Sequence, residues 1–275
     1  MITKVEVKKK APVLSLSGEE VKKVKLPAPF FVPFRPELIH RAFWALFTHS
    51  LQPKGTDPYA GKKTTAESWG VGHGIARIAR VKGQRYSRAG QAAGVASVVK
   101  GRQAHPPRVE KNIRKEINKK ERWLATASAI AATAIDEVVK KRGHKIIDVK
   151  YLPLIVSDKV EELKRTKDVI ELLKILGLEE EVIRLERSVK RRSGKARRRG
   201  RTKREAKGPL FVVSEDKGIM KAVGSIPGVE CVLAKDVSVL DLAPGGHAGR
   251  LVIWSESALK HLSPNVVKVS EKFLT

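Results

Sequence analysis

Residues 209–262, PLFVVSEDKGIMKAVGSIPGVECVLAKDVSVLDLAPGGHAGRLVIWSESALKHL, decide the fold. Leu210 to Val213, Val229 to Leu233 and Leu251 to Trp254 are continuously apolar, as strands buried on both faces are. Helical stretches lie between them at Lys217 to Val223 and Ser238 to Leu242, and Ser255 opens a last helix through Leu262. Strands that alternate with helices need crossover connections. The expected fold is therefore α/β, with a single open, mostly parallel sheet flanked by helices.

The same reading extends upstream. Thr166 with Asp168 opens a helix carrying Ile170, Leu173 and Leu176, which Gly177 closes. Glu179 to Lys190 continues helically into a basic tract. Ile146 to Val149 reads as a strand, and Leu154 to Val156 as a second short apolar segment. A long helix is predicted over Lys119 to Arg142, because Leu124, Ala127, Ile130, Ala131, Ala134, Ile135 and Val138 keep the helical period and Lys140-Lys141-Arg142-Gly143 is a stop signal. Pro36 suits a first helical turn, followed by a stripe of Leu38, Ile39, Ala42, Phe43 and Leu46. One globular α/β domain over 1–275 is expected, interrupted by an extended loop at 53–117 and a polybasic segment at 184–208.

Those interruptions hold the charge. The chain has 56 basic and 29 acidic residues, a net +27, beside a 41% hydrophobic content that supplies a real core. Residues 54–122 carry 17 basic and 5 acidic side chains, and residues 184–208 carry 13 and 2, so these stretches account for +23 of the total. The remainder is nearly neutral. An excess so placed repels itself and calls for a polyanion, either nucleic acid or an anionic membrane surface.

From Ser68 to Val109 there is no acidic residue, while seven glycines from Gly70 to Gly101 recur. Neither helical nor strand periodicity persists. Lys54, Lys62, Lys63, Arg77, Arg80, Lys82, Arg85, Arg88, Lys100, Arg102, Arg108 and Lys111 are the candidate phosphate contacts, since guanidinium and ammonium groups donate to phosphate oxygens. Trp69, His73, Tyr86 and His105 are interleaved and can stack on unpaired bases. A solvated linker has no need of Trp69, Ile75, Ile78 and Tyr86. The second tract, Lys190 to Arg204 (KRRSGKARRRGRTKR), has ten basic residues in fifteen: Lys190, Arg191, Arg192, Lys195, Arg197, Arg198, Arg199, Arg201, Lys203 and Arg204. By itself it indicates a polyanion and nothing more specific.

Other motifs lead nowhere. Gly70-x-Gly72-x-Gly74 follows TTAES, not the buried strand a dinucleotide loop requires, and Gly245 to Gly249 precede a strand, where a tight turn is expected. No histidine pair has zinc-ligand spacing, and no nucleophile elbow or Gly-Lys-Ser/Thr loop exists. Glu179-Glu180-Glu181 reads as a helix start. The single cysteine, Cys231, reads as a small core residue and forms no internal disulfide. No metal, cofactor or catalytic group is expected. The N-terminal MITKVEVKKKAPVLSL has no apolar core of a secretory signal, and no run spans a bilayer, so a cytoplasmic location is expected.

The segment KKTTAESWGVGHGIARIARVKGQRYSRAGQ … VKGRQAHPP (62–107), followed by NKKERWLATASAIAATA from Asn118, resembles the universal L-four family of large-subunit ribosomal proteins, in its archaeal and eukaryotic branch. RPELIHRAFWA before it and the alternating C-terminal part fit as well. The chain lacks the long C-terminal extension of eukaryotic members and so resembles the archaeal ones. The resemblance implies a ribosome-bound, non-enzymatic protein that supports subunit assembly. It implies as partners 23S rRNA, neighbouring large-subunit proteins and the nascent peptide. It also implies a loop tip, at Gly70, Gly72, His73, Gly74 and Arg77, that helps line the exit tunnel. Reach allows this, because an arm of roughly 32 residues at about 3.3 Å each extends up to about 100 Å.

Two other classes compete. A nucleic-acid enzyme would need carboxylate or histidine clusters for metal-assisted phosphoryl chemistry, which the glycine-rich loop lacks. A peripheral membrane protein would need a basic amphipathic helix, and the most basic segments are glycine-rich and not helical in pattern.

Overall fold

The structure, a computed structural model, describes residues 9–274. The first eight residues, half of the N-terminal stretch discussed above, lie outside it. The chain forms two compact units. One runs up to Thr48 and resumes at Lys115; the other is His49–Arg114.

The first unit is built on six strands: β1 (Lys10–Leu14), β2 (Glu20–Lys25), β3 (Leu154–Val156), β4 (Leu210–Val213), β5 (Glu230–Leu233) and β6 (Val252–Ser255). Their order is β2-β1-β3-β6-β4-β5, and every pairing is parallel except β1 with β2. The α/β, mostly parallel sheet is thus as expected. Alternate residues feed two cores on opposite faces. Ile155, Leu210, Val212, Val252 and Trp254 join one. Leu154, Val156, Phe211, Val213, Leu251 and Ile253 join the other.

The helices are α1 (Pro36–Thr48), α2 (Lys119–Ala132), α3 (Asp136–Arg142), α4 (Thr166–Ile175), α5 (Glu179–Ser188), α6 (Ile219–Gly224), α7 (Val239–Leu242), α8 (Glu256–Lys260) and α9 (Pro264–Leu274). The first core takes up α1, α2, α7 and α9, and the second takes up α4, α5 and α6. Helix α2 is buried on every side from Ala125 through Thr133. Its run of alanines lets α1, α9 and the 3-10 turn Ala28–Phe31 approach closely, and Trp254 meets Phe30 edge to face at 5.5 Å.

Several expectations need correction. The helix from Lys119 to Arg142 is two helices. Ile135 adopts extended angles (φ −98°, ψ 110°) between α2 and α3, and Asp136 and Glu137 start the second. Apolar spacing runs in phase through both, which hides the break. Ile146 to Val149 is not a strand. The places beside β3 belong to β1 and β6, and the Lys145 N–H bonds to the Glu181 carboxylate instead of a ladder. The β1–β2 hairpin escaped the periodicity reading because β2 is exposed and lysine-rich, as suits an edge protected from further pairing. Helix α9 follows the helix read as the last. Helix α5 ends at Ser188, and the chain enters a short ladder at Lys190 rather than continuing helically. Strand β5 lies at an edge and is half-buried throughout, so Cys231 flanks the core instead of filling it; burial pushes its thiol up to about 12.

Open α/β sheets usually bind ligands in a crevice at the carboxyl ends of their strands. Here the 3-10 turn Asp158–Glu162 fills that position. Buried Glu161 accepts hydrogen bonds from the Ser255 hydroxyl at the end of β6 (2.8 Å) and from Ser214 N just past β4 (2.7 Å). Its carboxylate is consumed in tying strand ends together.

Candidate nucleic-acid interface

The excursion leaves the first unit at Thr48, whose hydroxyl accepts from Lys115 N at 3.0 Å where the chain returns. Within the second unit the outgoing and returning arms run beside each other. Thr56 N donates to Pro107 O (3.3 Å), and Gly61, at φ +76°, faces the backbone of Gly101 and Arg102 with no room for a Cβ. Glycine is required there by close backbone approach as well as by conformation. A groove of about 1090 Å³ between the arms is lined by Lys62, Lys100, Arg102 and Arg108 among others.

Farther along, Ala66–Glu67 pairs antiparallel with Arg80–Val81, and Arg80 bridges to Ala92. This small ladder holds an aromatic site. The Arg80 guanidinium lies 5.8 Å from the Trp69 ring centre, in cation–π range, and His73 meets the ring edge on at 6.0 Å. Arg80 also donates to Gly90 O (3.0 Å), while a Cβ on Gly90 would sit 3.4 Å from the indole. Trp69 remains 50% exposed and Tyr86 48%, so both present ring surface outward. The Tyr86 hydroxyl is held by Lys82 O.

Of the predicted contact residues in this unit, Lys54, Lys62, Lys63, Trp69, His73, Arg77, Lys82, Arg85, Tyr86, Arg88, Lys100, Arg102, His105, Arg108 and Lys111 are exposed; Arg80 is half-buried. The ion pairs among its described residues are Lys63 with Asp57 (2.8 Å) and Lys82 with Glu67 (2.6 Å). The Lys63 hydrogen bond lowers the Asp57 pKa, and Asp57 in turn raises that of Lys63. The other cations make no ion pair. Arg85 (φ 67°) and Lys100 (φ 60°) occupy the left-handed region, a strain that L-residues normally avoid. Gly70, Gly72 and Gly74 are also left-handed, and a Cβ on any of them would meet nothing within 4 Å. Arg114, exposed and unpaired, was missed by the sequence reading although it continues the basic spacing of Arg108 and Lys111.

The tract of ten cations is a hairpin. Lys190–Arg191 pairs antiparallel with Lys203–Arg204, Arg192 N donates to Thr202 O (2.8 Å), and a single helical turn spans Gly194–Arg198. The expectation of a helix-free tract is corrected by that turn. Arg191, Lys195, Arg197, Arg198, Arg199 and Arg201 are exposed, as are Lys190, Lys203 and Arg204; Arg192 is half-buried. None makes an ion pair.

Cations of the body behave differently. Arg250 is fully buried and donates to Glu230 (2.7 Å), Asp241 O and Gly208 O. Glu181, the third glutamate of the helix start, is fully buried. It accepts from His144 Nδ1 (2.6 Å), Lys145 N (2.9 Å) and Arg184 Nε and Nη2 (2.8 and 2.6 Å). Burial alone would raise its pKa, but the bonds from Arg184 and His144 prevail and hold it at about 2. Burial lowers His144, against the pull of Glu181, so the imidazole is neutral near pH 7. Sequence reading placed Glu181 on a helix start but could not foresee this network, which joins residues 36 and 37 positions apart. Among the described residues no group of three or more histidine, cysteine or acidic side chains could hold a metal ion. No helix of the described residues is long and apolar enough to cross a membrane.

Comparison with known proteins agrees with the sequence resemblance. Residues 24–265 match the model of the ribosomal protein L4/L1 family. The protein named large ribosomal subunit protein uL4 from Methanocaldococcus jannaschii is 48% identical over 253 residues, 92% of this chain and 98% of that protein. Those of the same name from Sulfurisphaera tokodaii and Saccharolobus solfataricus are each 46% identical, over 91% and 95% of this chain and 92% and 97% of their own lengths. All three organisms are archaea, the branch the sequence resembled. The chain belongs to the ribosomal protein L4/L1 family, whose members are structural and non-enzymatic constituents of the ribosome.

Proposed function

We propose that this family member binds 23S rRNA through unit His49–Arg114 and the 190–204 hairpin, supports large-subunit assembly, and lends its loop to the wall of the nascent-peptide tunnel. The observation that carries this reading is the contrast in pairing: buried Arg250 and half-buried Arg184 of the body are bonded to carboxylates, whereas the cations of the two appendages are mostly exposed and mostly unpaired. Lysines and arginines supply phosphate contacts, and Trp69, Tyr86 and the histidines supply stacking surface for unpaired bases. Gly70 to Arg77, with His73, forms the tip facing the nascent peptide, where left-handed glycines keep the backbone slim. The body then contacts neighbouring large-subunit proteins, and the protein resides on cytoplasmic ribosomes.

Sedimentation and cross-linking test the reading together. The tagged chain is expected to sediment stoichiometrically with large subunits, and a photo-reactive residue at His73 to cross-link to stalled nascent chains. A chain found with membranes or free in the supernatant would overturn rRNA binding. Cross-links from His73 to rRNA alone would move the tip off the tunnel wall.

A further inference from the structure

The hairpin's register carries more than its charge. Lys190 stands directly opposite Arg204, and Arg191 opposite Lys203. Like charges in directly opposed positions destabilise a ladder, yet among the described residues no carboxylate forms an ion pair with any of the four. Successive residues in a strand point to opposite faces. One face of the hairpin therefore presents the Lys190/Arg204 pair and the other presents Arg191/Lys203. All four residues are exposed, so neither face is covered by the body. The base is fixed: Ala206 N donates to the Ser188 hydroxyl (3.1 Å), which itself donates to Leu185 O in α5 (2.7 Å). Arg192 Nε, just inside the ladder, is buried without a partner.

We propose that the hairpin is a two-sided wedge that inserts between two separate RNA backbone segments, each face neutralising phosphates of one of them. A polybasic arm lying on a single RNA surface would leave one cation pair facing solvent. A cleft between two phosphodiester strands supplies anions to both faces and removes the cross-strand repulsion on both. This rests on the rRNA binding proposed above and specifies its geometry at the hairpin.

The test is footprinting of the full-length chain on 23S rRNA with two double variants, K190Q/R204Q and R191Q/K203Q. Both substitutions remove a like-charge pair, so neither is expected to disfavour the hairpin. Each should lower the magnitude of the log–log salt slope by about 1.4 to 1.8, two contacts at about 0.7 to 0.9 apiece. Each should also abolish protection at a different RNA segment and leave the other segment protected. If both variants lose the same protected nucleotides, or one pair changes neither slope nor footprint, the hairpin binds one surface and the wedge is wrong. Absence of any footprint with the unaltered chain would instead overturn the rRNA binding itself.

Discussion

The body and its two appendages use arginine in opposite ways. In the body, Arg184 and Arg250 are bonded to Glu181 and Glu230, and neighbouring carbonyls take up further N–H groups. A buried charge without such partners costs several kcal/mol, so these arginines are structural. In the loop and hairpin, Arg77, Arg88, Arg102 and Arg197 through Arg199 are exposed without a carboxylate. Composition alone treats these two populations as one excess of +27. The arrangement of acids separates them, and the contrast can be attacked from both sides.

The largest effect is expected from removing residues 68–109. Specific affinity for 23S rRNA should fall by orders of magnitude, while the body still unfolds in one cooperative transition with an unchanged midpoint, because its cores draw on residues outside that span. Loss of cooperative unfolding in a calorimetric scan would show that the loop belongs to the core.

Glu181→Ala should do the reverse. It strands buried His144 and half-buried Arg184 and is expected to cost about 3–5 kcal/mol of stability. RNA affinity at temperatures where the variant remains folded should hardly change. The same network gives an acid signature. Both Glu181 and His144 have folded-state pKa values below their ordinary ones, so the unfolded chain binds more protons and stability rises with pH and is lost as the pH is lowered. The loss begins as pH drops through about 6.5, where unfolded histidine charges, and steepens from about 4.5 toward 2 as the Glu181 contribution is lost. Denaturant titrations across this range should show both parts of the decline in the unaltered chain, whereas Glu181→Ala should lose the part below about 4.5 and keep the histidine part, since Glu181 is the contact that raises the His144 pKa.

Replacing Arg197, Arg198 and Arg199 with Gln should weaken binding to all RNAs alike and reduce the magnitude of the salt slope by about 2 to 3 if all three touch phosphate. Selective loss at one ribosomal site would show that the helical turn reads a defined RNA shape. The smallest effect is expected at Lys100, whose left-handed backbone suits glycine better. Lys100→Gly should relieve strain of about 1–2 kcal/mol in the free loop and cost about one phosphate contact. Hydrogen exchange near Gly101 reports the first and the salt slope reports the second.

What was legible in the sequence follows from where the physical signal lies. The central strands announced themselves because β4 and β6 are buried on both faces and must be apolar throughout. Strand β1, paired on both sides but only partly buried, and the exposed edge strand β2 carry half or none of that signal, and the lysines that protect β2 obscure it further. The break at Ile135 was hidden because two successive helices share one apolar phase. In the appendages, composition pointed to Trp69, Tyr86 and the arginines without a fold. The Trp69–Arg80 contact spans eleven residues and is held by a ladder only two residues long, too short for any period to register. The hairpin at 190–204 was equally unreadable, since cations on both faces leave no alternation to detect.

The central claim is that the appendages hold cations in reserve for RNA while aromatic rings and slim backbone supply selectivity. The two basic stretches carry 17 and 13 basic side chains, and if a third to a half of them meet phosphate, affinity should fall by three or more orders of magnitude between about 50 and 200 mM salt. Stacking by Trp69 and Tyr86 and the fit of glycine-lined backbone are not screened by salt. The decisive measurement is filter binding of the intact protein to 23S rRNA and to random RNA of equal length over that range. The account predicts two steep curves, with binding to 23S rRNA persisting at salt where binding to random RNA has vanished. Parallel curves that vanish together would contradict it and reduce the appendages to a polycation without selectivity.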